Sequence, residues 1–353
     1  MRIAKVIVQQ LLRLISLLIG LTLLTFALLQ LSPLDPIGQY ISRMPGATEE
    51  QLAALRKLWN QDLPWWEQYF KWLTSVLQGD WGTSYAFREP VGHIMSRAFQ
   101  NSLLLMLCAW VLSTVVGYVL GMLAAVASRG KKAFRWCDGL VSGISLTLWS
   151  TPTFIVGLLL IMVFAVWLGW SPTGLSQPLG TQLGEASLSD RLRHIVLPCL
   201  AVAAVSTAQV ALHTRQEFQD FLDSDVALFA RARGMGTWRL IAQHGIRNTA
   251  LPAVMLQFSQ FSILFGGSLM AEVVFSYAGL GSAITEAGLN SDVPLLLGCV
   301  VLMAVFVFVG NLIADVLAAV IDPRVRRSIE NSAAARPAVG LAPKNPAAQE
   351  AAR

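Results

Sequence analysis

The sequence predicts an all-α polytopic membrane protein with about six transmembrane helices, and three observations carry that prediction. Asp, Glu, Lys and Arg make up 13% of the 353 residues, about half the ~25% of a soluble domain. The apolar residues gather in runs near the ~20 residues that cross a hydrocarbon core. Lysine and arginine concentrate between alternate runs, the pattern that orients membrane proteins with their basic loops inside. The net charge of +5 is therefore read as orientation and not as affinity for nucleic acid.

Taken in order, Arg2, Lys5 and Arg13 precede an apolar run from Leu14 to Leu31. That run exceeds the ~7–15 apolar residues of a cleaved signal, so 1–31 is read as a retained first span. The segment 32–100 is polar and aromatic and reads as a periplasmic helical insertion. Thr48 followed by Glu50 and Gln51 marks a helix start, and Leu52, Leu55 and Leu58 recur at helical spacing. Trp65, Trp66, Tyr69, Trp72 and Trp81 are expected to cover one side of a second short helix, an aromatic belt of the kind found where protein meets lipid headgroups, in an insertion lying on the outer membrane surface. A docking surface for a substrate-delivering protein is compatible with the same segment.

Further spans are expected at Leu103–Ala127, Leu140–Leu168, Ile195–Leu212, Ala253–Phe275 and Leu295–Ile321. In the second, Gly117 and Gly121 form a small-xxx-small pattern that lets helices approach closely. Pro152 should kink or break the third. With the N-terminus inside, the inside segments hold 18 of the 26 basic residues, among them Arg129, Arg135, Arg215 and Arg247. Both termini are then cytoplasmic. The tail, 323–353, is rich in alanine and proline without apolar periodicity and is expected to be disordered.

The cysteines and histidines lack the spacing of a metal site, and no GxxxxGK[ST] motif is present, so any ATP hydrolysis falls to another chain. No catalytic, cofactor-binding or metal-binding residue is predicted. Polar groups inside spans face the bundle interior by default. Pro152, Gln257, Gln260 and Glu272 are accordingly candidates for a translocation path. Hydrogen bonding between helices is the competing role for the neutral residues, and headgroup water the competing environment for Glu272.

The loop 213–250 is the most informative segment. Topology alone accounts for its arginines. It does not account for the helix start at Asp223, Ser224 and Asp225, or for Val226, Phe229 and Ala230 on one apolar face with Arg231 and Arg233 off it. Gly234 and Gly236 then stop the helix, Thr237 can cap a second, and Pro252 falls where the next span should begin. A long loop with structure of its own is usually functional.

The stretch DVALFARARG…HGIRNTALP resembles the EAA coupling loop of binding-protein-dependent ABC importers, in the dipeptide/oligopeptide/nickel permease variant. LSPLDP, PWWEQYFKWL, QGDWGTSY, STPTFIVG, LRHIVLP, AEVVF, SDVP and IDPR extend the resemblance over nearly the whole chain. Leu228 and Phe229 stand where the general signature has glutamate and its first alanine, so the match rests on Ala230, Ala232 and Gly234.

The resemblance implies the type I ABC importer permease fold, with a permease core over 101–322, in a bacterial inner membrane. It implies a second permease subunit, two ATP-binding subunits carrying ATP and Mg, and a periplasmic or lipid-anchored binding protein. Asp225, Phe229, Ala230, Arg231, Ala232, Arg233 and Gly234 would couple to the ATPase, with Phe229 and Ala230 seated in its groove and the two arginines at the rim. The implied cargo is a di- or oligopeptide, with nickel or a metallophore chelate as the alternative. A secondary transporter is the reading from another class, and it would predict inverted repeats.

Overall fold

The computed structural model describes residues 2–31, 48–59, 62–130, 132–176 and 187–321. The LSPLDP motif past Leu31, the IDPR motif past Ile321 and the 323–353 tail lie outside the described residues. Helices α1 (Arg2–Gln30), α2 (Glu49–Leu58), α3 (Trp65–Leu77), α4 (Val91–Ser128) and α5 (Lys132–Trp149) come first. Helix α6 (Thr153–Leu160) runs on as a π-helical turn, Ile161–Trp167. Then follow α7 (Leu188–Asp223), α8 (Asp225–Ala232), α9 (Thr237–Leu240) with a π-helical turn Ile241–Gly245, α10 (Ile246–Ser259), α11 (Phe261–Val274), α12 (Leu280–Leu289) and α13 (Val293–Ile321). Among the described residues the only β feature is an isolated bridge between Thr83 and Pro90.

Four helices, α1, α4, α7 and α13, are each long and apolar enough to cross a membrane. Two bent pairs, α5 with α6 and the α9–α10 segment with α11, bring the number to six. The third span breaks at Pro152, where the chain turns through 108°. Proline has no N–H to donate and its ring clashes with the preceding turn. The Ser150 and Thr151 hydroxyls donate to the carbonyls of Leu146 (2.8 Å) and Thr147 (2.7 Å) at the end of α5.

Four expectations need correction. The fourth span is not confined to Ile195–Leu212: α7 is 36 residues, about 54 Å at 1.5 Å per residue. It outruns its apolar window because Phe218, Phe221 and Leu222 continue the helical spacing and are all buried. The fifth span is not continuous, since it bends by 58° between Ser259 and Phe261. Pro252 does not open that span but sits inside α10, which starts at Ile246. Likewise Gly236, and not Thr237, caps α9.

The centre of the bundle is the packing of α4 against α7. A Cβ on Gly117 would lie 2.7 Å from Val210 Cβ and 2.9 Å from the Thr207 carbonyl oxygen. A Cβ on Gly121 would lie 2.5 Å from the Ala211 carbonyl oxygen and 2.9 Å from Arg215 N. Hydrogen atoms at these two positions allow backbone-to-backbone contact, which is what the small-xxx-small pattern predicts. Around this pair, Leu105, Val202, Phe265, Phe275, Leu280 and Leu295 form one buried core.

The insertion is capped and clamped. Thr48 and Gln51 form a reciprocal capping box at the start of α2, Gln51 N to Thr48 Oγ1 at 3.4 Å and Thr48 N to Gln51 Oε1 at 3.0 Å. Its far end is fixed to the hinge between α12 and α13. There the fully buried Asp292 accepts from Ser84 Oγ (2.5 Å), Ala86 N (3.0 Å) and Leu295 N (3.2 Å).

Candidate functional site

At one end of the bundle α7 projects past its apolar window and hands the chain to α8. Ser224 makes the corner. Its hydroxyl donates to the Phe221 carbonyl at 2.6 Å and accepts from Ala227 N at 3.4 Å, which caps α8. Asp225 follows in the first turn, where a carboxylate complements the helix dipole. Helix α8 stops at Gly234, whose φ of +81° is the left-handed conformation that favours glycine. The turn closes with Gly234 N donating to the Arg231 carbonyl (2.8 Å) and Met235 N to that of Ala230 (3.1 Å).

The two faces of α8 divide cleanly. Ala227 and Ala230 are buried against Phe221, Leu222 and Leu240. Val226, Leu228 and Phe229 point away and are 51%, 63% and 70% exposed, with Trp238 of α9 at 60%. Asp225, Arg231, Ala232, Arg233 and Gly234 are exposed beside them. Ala230 therefore does not share an outward seat with Phe229, as the apolar spacing implied. Three residues along an α-helix turn by about 300°, so Ala227 and Ala230 share the inner face, while Val226 and Phe229 share a face turned about 100° away.

Two arginine–aspartate pairs tie this end of the bundle together. Arg129, the C-cap of α4, grips both carboxylate oxygens of Asp223, the last residue of α7. The hydrogen bond to that carboxylate raises the Arg129 pKa above the ordinary arginine value. Arg215 of α7 binds Asp138 of α5 through Nε at 2.5 Å and a second nitrogen at 2.8 Å. Bidentate pairs fix orientation as well as distance. Tyr118 of α4 adds a 2.8 Å hydrogen bond to Thr249 of α10. The end of α7 from which α8 departs is thus tied to α4 and α5, and α4 in turn to α10, an arrangement that sequence spacing had not revealed because the partners lie 77 to 131 residues apart.

The path residues expected from sequence do not form one group. Gln257 is 3% exposed and donates from Nε2 to Ser113 Oγ (2.7 Å) and Thr114 Oγ1 (3.0 Å) of α4. It is a helix-to-helix contact, the alternative that the sequence left open. Glu272 does not reach water: it is fully buried, with Oε2 accepting from Gly281 N at 2.7 Å at the start of α12. Pro152 is exposed and Gln260 is half-buried, each at the break in its span. Ser262 donates to Asn311 Oδ1 at 2.9 Å, linking α11 to α13.

Residues 117–327 match the family model described as "Binding-protein-dependent transport system inner membrane component". The chain is 34% identical over 324 residues to the oligopeptide transport system permease protein AppB of Bacillus subtilis, covering 91% of this chain and 99% of that one. It is 33% identical over 320 residues to the glutathione transport system permease protein GsiC of Salmonella paratyphi A, covering 91% and 98%. The solved methionine ABC transporter MetNI, in inward-facing conformations, is similar at 17% identity and a TM-score of 0.43, covering 64% of this chain and 96% of that one. The assignment does not rest on that last likeness. With six apolar spans, a two-sided helical platform and this family match over more than half its length, the chain belongs to the inner-membrane components of binding-protein-dependent transport systems, the permease subunits of ABC importers.

Proposed function

We propose that this permease carries di- or oligopeptides, with both termini on the cytoplasmic side, and that α8 is the part an ATP-binding subunit grips. The observation that carries the coupling role is the division of α8 into an anchored face and an exposed apolar face. Isolated exposed apolar residues are ordinary, but contiguous ones rimmed by charge mark interaction sites. Val226, Leu228 and Phe229 would seat in a groove of the ATP-binding subunit, Asp225, Arg231 and Arg233 would sit at its rim, and Ala232 and Gly234 would allow close approach. Ala230 would serve from behind, holding the helix to Phe221 and Leu222. Since α8 is clamped to α7, motion of the gripped helix would be passed on as rigid-body motion of the spans, as alternating access requires.

The assembly that follows is two permeases, two ATP-binding subunits and a periplasmic or lipid-anchored binding protein. Orientation rests on the basic residues near α8 and at the N-terminus. Peptide cargo is favoured over nickel or a metallophore chelate because the relatives named above are oligopeptide and glutathione permeases. In domain terms, 1–31 is the first span, 32–100 the insertion, 101–322 the permease core and 323–353 a cytoplasmic tail. Of the four path candidates, Pro152 and Gln260 remain. Cysteine cross-linking tests the coupling surface. Leu228→Cys and Phe229→Cys should cross-link to the ATP-binding subunit and Ala227→Cys should not, with ATP-dependent uptake of a labelled dipeptide in proteoliposomes as the cargo test. Equal labelling from all three positions would dispose of the two-faced docking helix.

A further inference from the structure

Helix α3 carries an apolar surface that the coupling mechanism does not use. At 100° per residue, Trp65, Trp66, Tyr69, Phe70, Trp72, Leu73, Val76 and Leu77 fall within an arc of about 160°, and Glu67, Lys71, Thr74 and Gln78 fall opposite. The arc has two parts. Tyr69, Trp72 and Leu73 pack on Phe26 of α1 and on Val293 and Leu297 of α13. Trp66, Phe70 and Leu77, along the other edge of the arc, are 51%, 61% and 79% exposed. The exposed apolar edge therefore lies between the edge that packs on the spans and the edge that bears the charges.

The depth of this helix is fixed by one hydrogen bond. Tyr69 OH lies 2.9 Å from Thr22 Oγ1. Thr22 is about two turns inside the end of α1, about 12 Å along its axis, within the stretch Leu12–Gln30 that is apolar enough to span. The Phe26 and Tyr69 rings meet edge to face at 5.8 Å, with Phe26 about one turn nearer the end of α1 than Thr22. A tyrosine side chain reaches about half of that depth, so the axis of α3 lies inside the end of the span and not above it. On α1 itself, Leu23, Leu24 and Leu28 are likewise exposed.

We propose that α3 is a half-immersed interfacial helix whose Trp66, Phe70 and Leu77 edge lies in the lipid of the leaflet on the insertion side. Amphipathic helices bury such an edge about 5–10 Å into the boundary between headgroups and acyl chains, which agrees with the depth set by Thr22. The helix would hold the insertion at a fixed height and angle relative to the α12–α13 hinge, to which Asp292 clamps its other end.

Spin labels on the full-length chain in lipid nanodiscs test this, with collision rates read against oxygen, which partitions into lipid, and nickel-EDDA, which stays in water. Labels at Trp66→Cys, Phe70→Cys and Leu77→Cys should give the high oxygen-to-nickel ratio of a lipid-facing reference at Leu28→Cys. Labels at Glu67→Cys and Lys71→Cys should give the inverse. Leu77 is the most exposed of the three and reads the result where a label at Trp66 or Phe70 disturbs the fold. If all five positions on α3 collide freely with nickel-EDDA, the helix stands in water and the proposal fails. If the apolar positions are shielded from both reagents, protein covers them instead, and it fails equally.

Discussion

Replacing Phe229 by alanine separates docking from folding. The side chain is 70% exposed in the chain alone and leaves the buried contacts of α8 to Ala227 and Ala230. Burying a whole phenylalanine side chain contributes about 1.5–3 kcal/mol, so seating the exposed part in a partner groove contributes about 1–2 kcal/mol. Truncation should weaken association with the ATP-binding subunit by about 5–30-fold, near the range of an interface hot spot. The thermal unfolding midpoint of the isolated permease should stay where it is, because nothing packed inside the chain is lost. Affinity is read by titrating the ATP-binding subunit onto nanodisc-embedded permease, and coupling by ATP-dependent uptake. Ala230→Trp is the control: at 9% exposure it overpacks the inner face by about 1–3 kcal/mol and should lower the midpoint. If Phe229→Ala binds and transports like the parent chain, α8 does not dock through its exposed face.

Two further outcomes follow from close contacts. Gly121→Val should disrupt the α4–α7 pair, since its Cβ would meet the Ala211 carbonyl oxygen at 2.5 Å, and overpacking of that kind costs about 1–3 kcal/mol. Gly139→Val on α5 should be nearly silent, because nothing lies within 4 Å of its Cβ, and thermal unfolding of the two variants in the same lipid compares them. Asp292→Ala should leave Ser84 Oγ and Ala86 N without their acceptor, at about 1–3 kcal/mol for a buried unmet group. Proteolysis of the 78–90 segment should speed up while the spans remain intact.

Much of the architecture is legible along the chain because a bilayer demands it. A span must be apolar for about 20 residues, so the approximate positions of all six follow from runs of leucine, valine and alanine. Capping residues and proline act locally, which is why the start of α8 at Ser224 and the break at Pro152 are both readable. Gly117 and Gly121 mark a close approach in advance because only a hydrogen atom permits one.

Tertiary structure decided the rest. Whether an apolar residue on α8 faces its own chain or a partner depends on what lies beneath it. Val226, Phe229 and Ala230 look equivalent by spacing until Phe221, Leu222 and Leu240 close over Ala230. A polar group inside a span can line a path or bond to a neighbouring helix, and only the placement of Ser113 and Thr114 made Gln257 the latter. The same is true of Glu272, whose partner Gly281 comes from a turn that sequence could not fold back upon it. The clamps Arg129–Asp223 and Arg215–Asp138 join helices far apart in the chain, and pairing of that kind leaves no periodic mark. Local chemistry fixed where the helices run and stop; their lateral packing decided which side chains remain free to act.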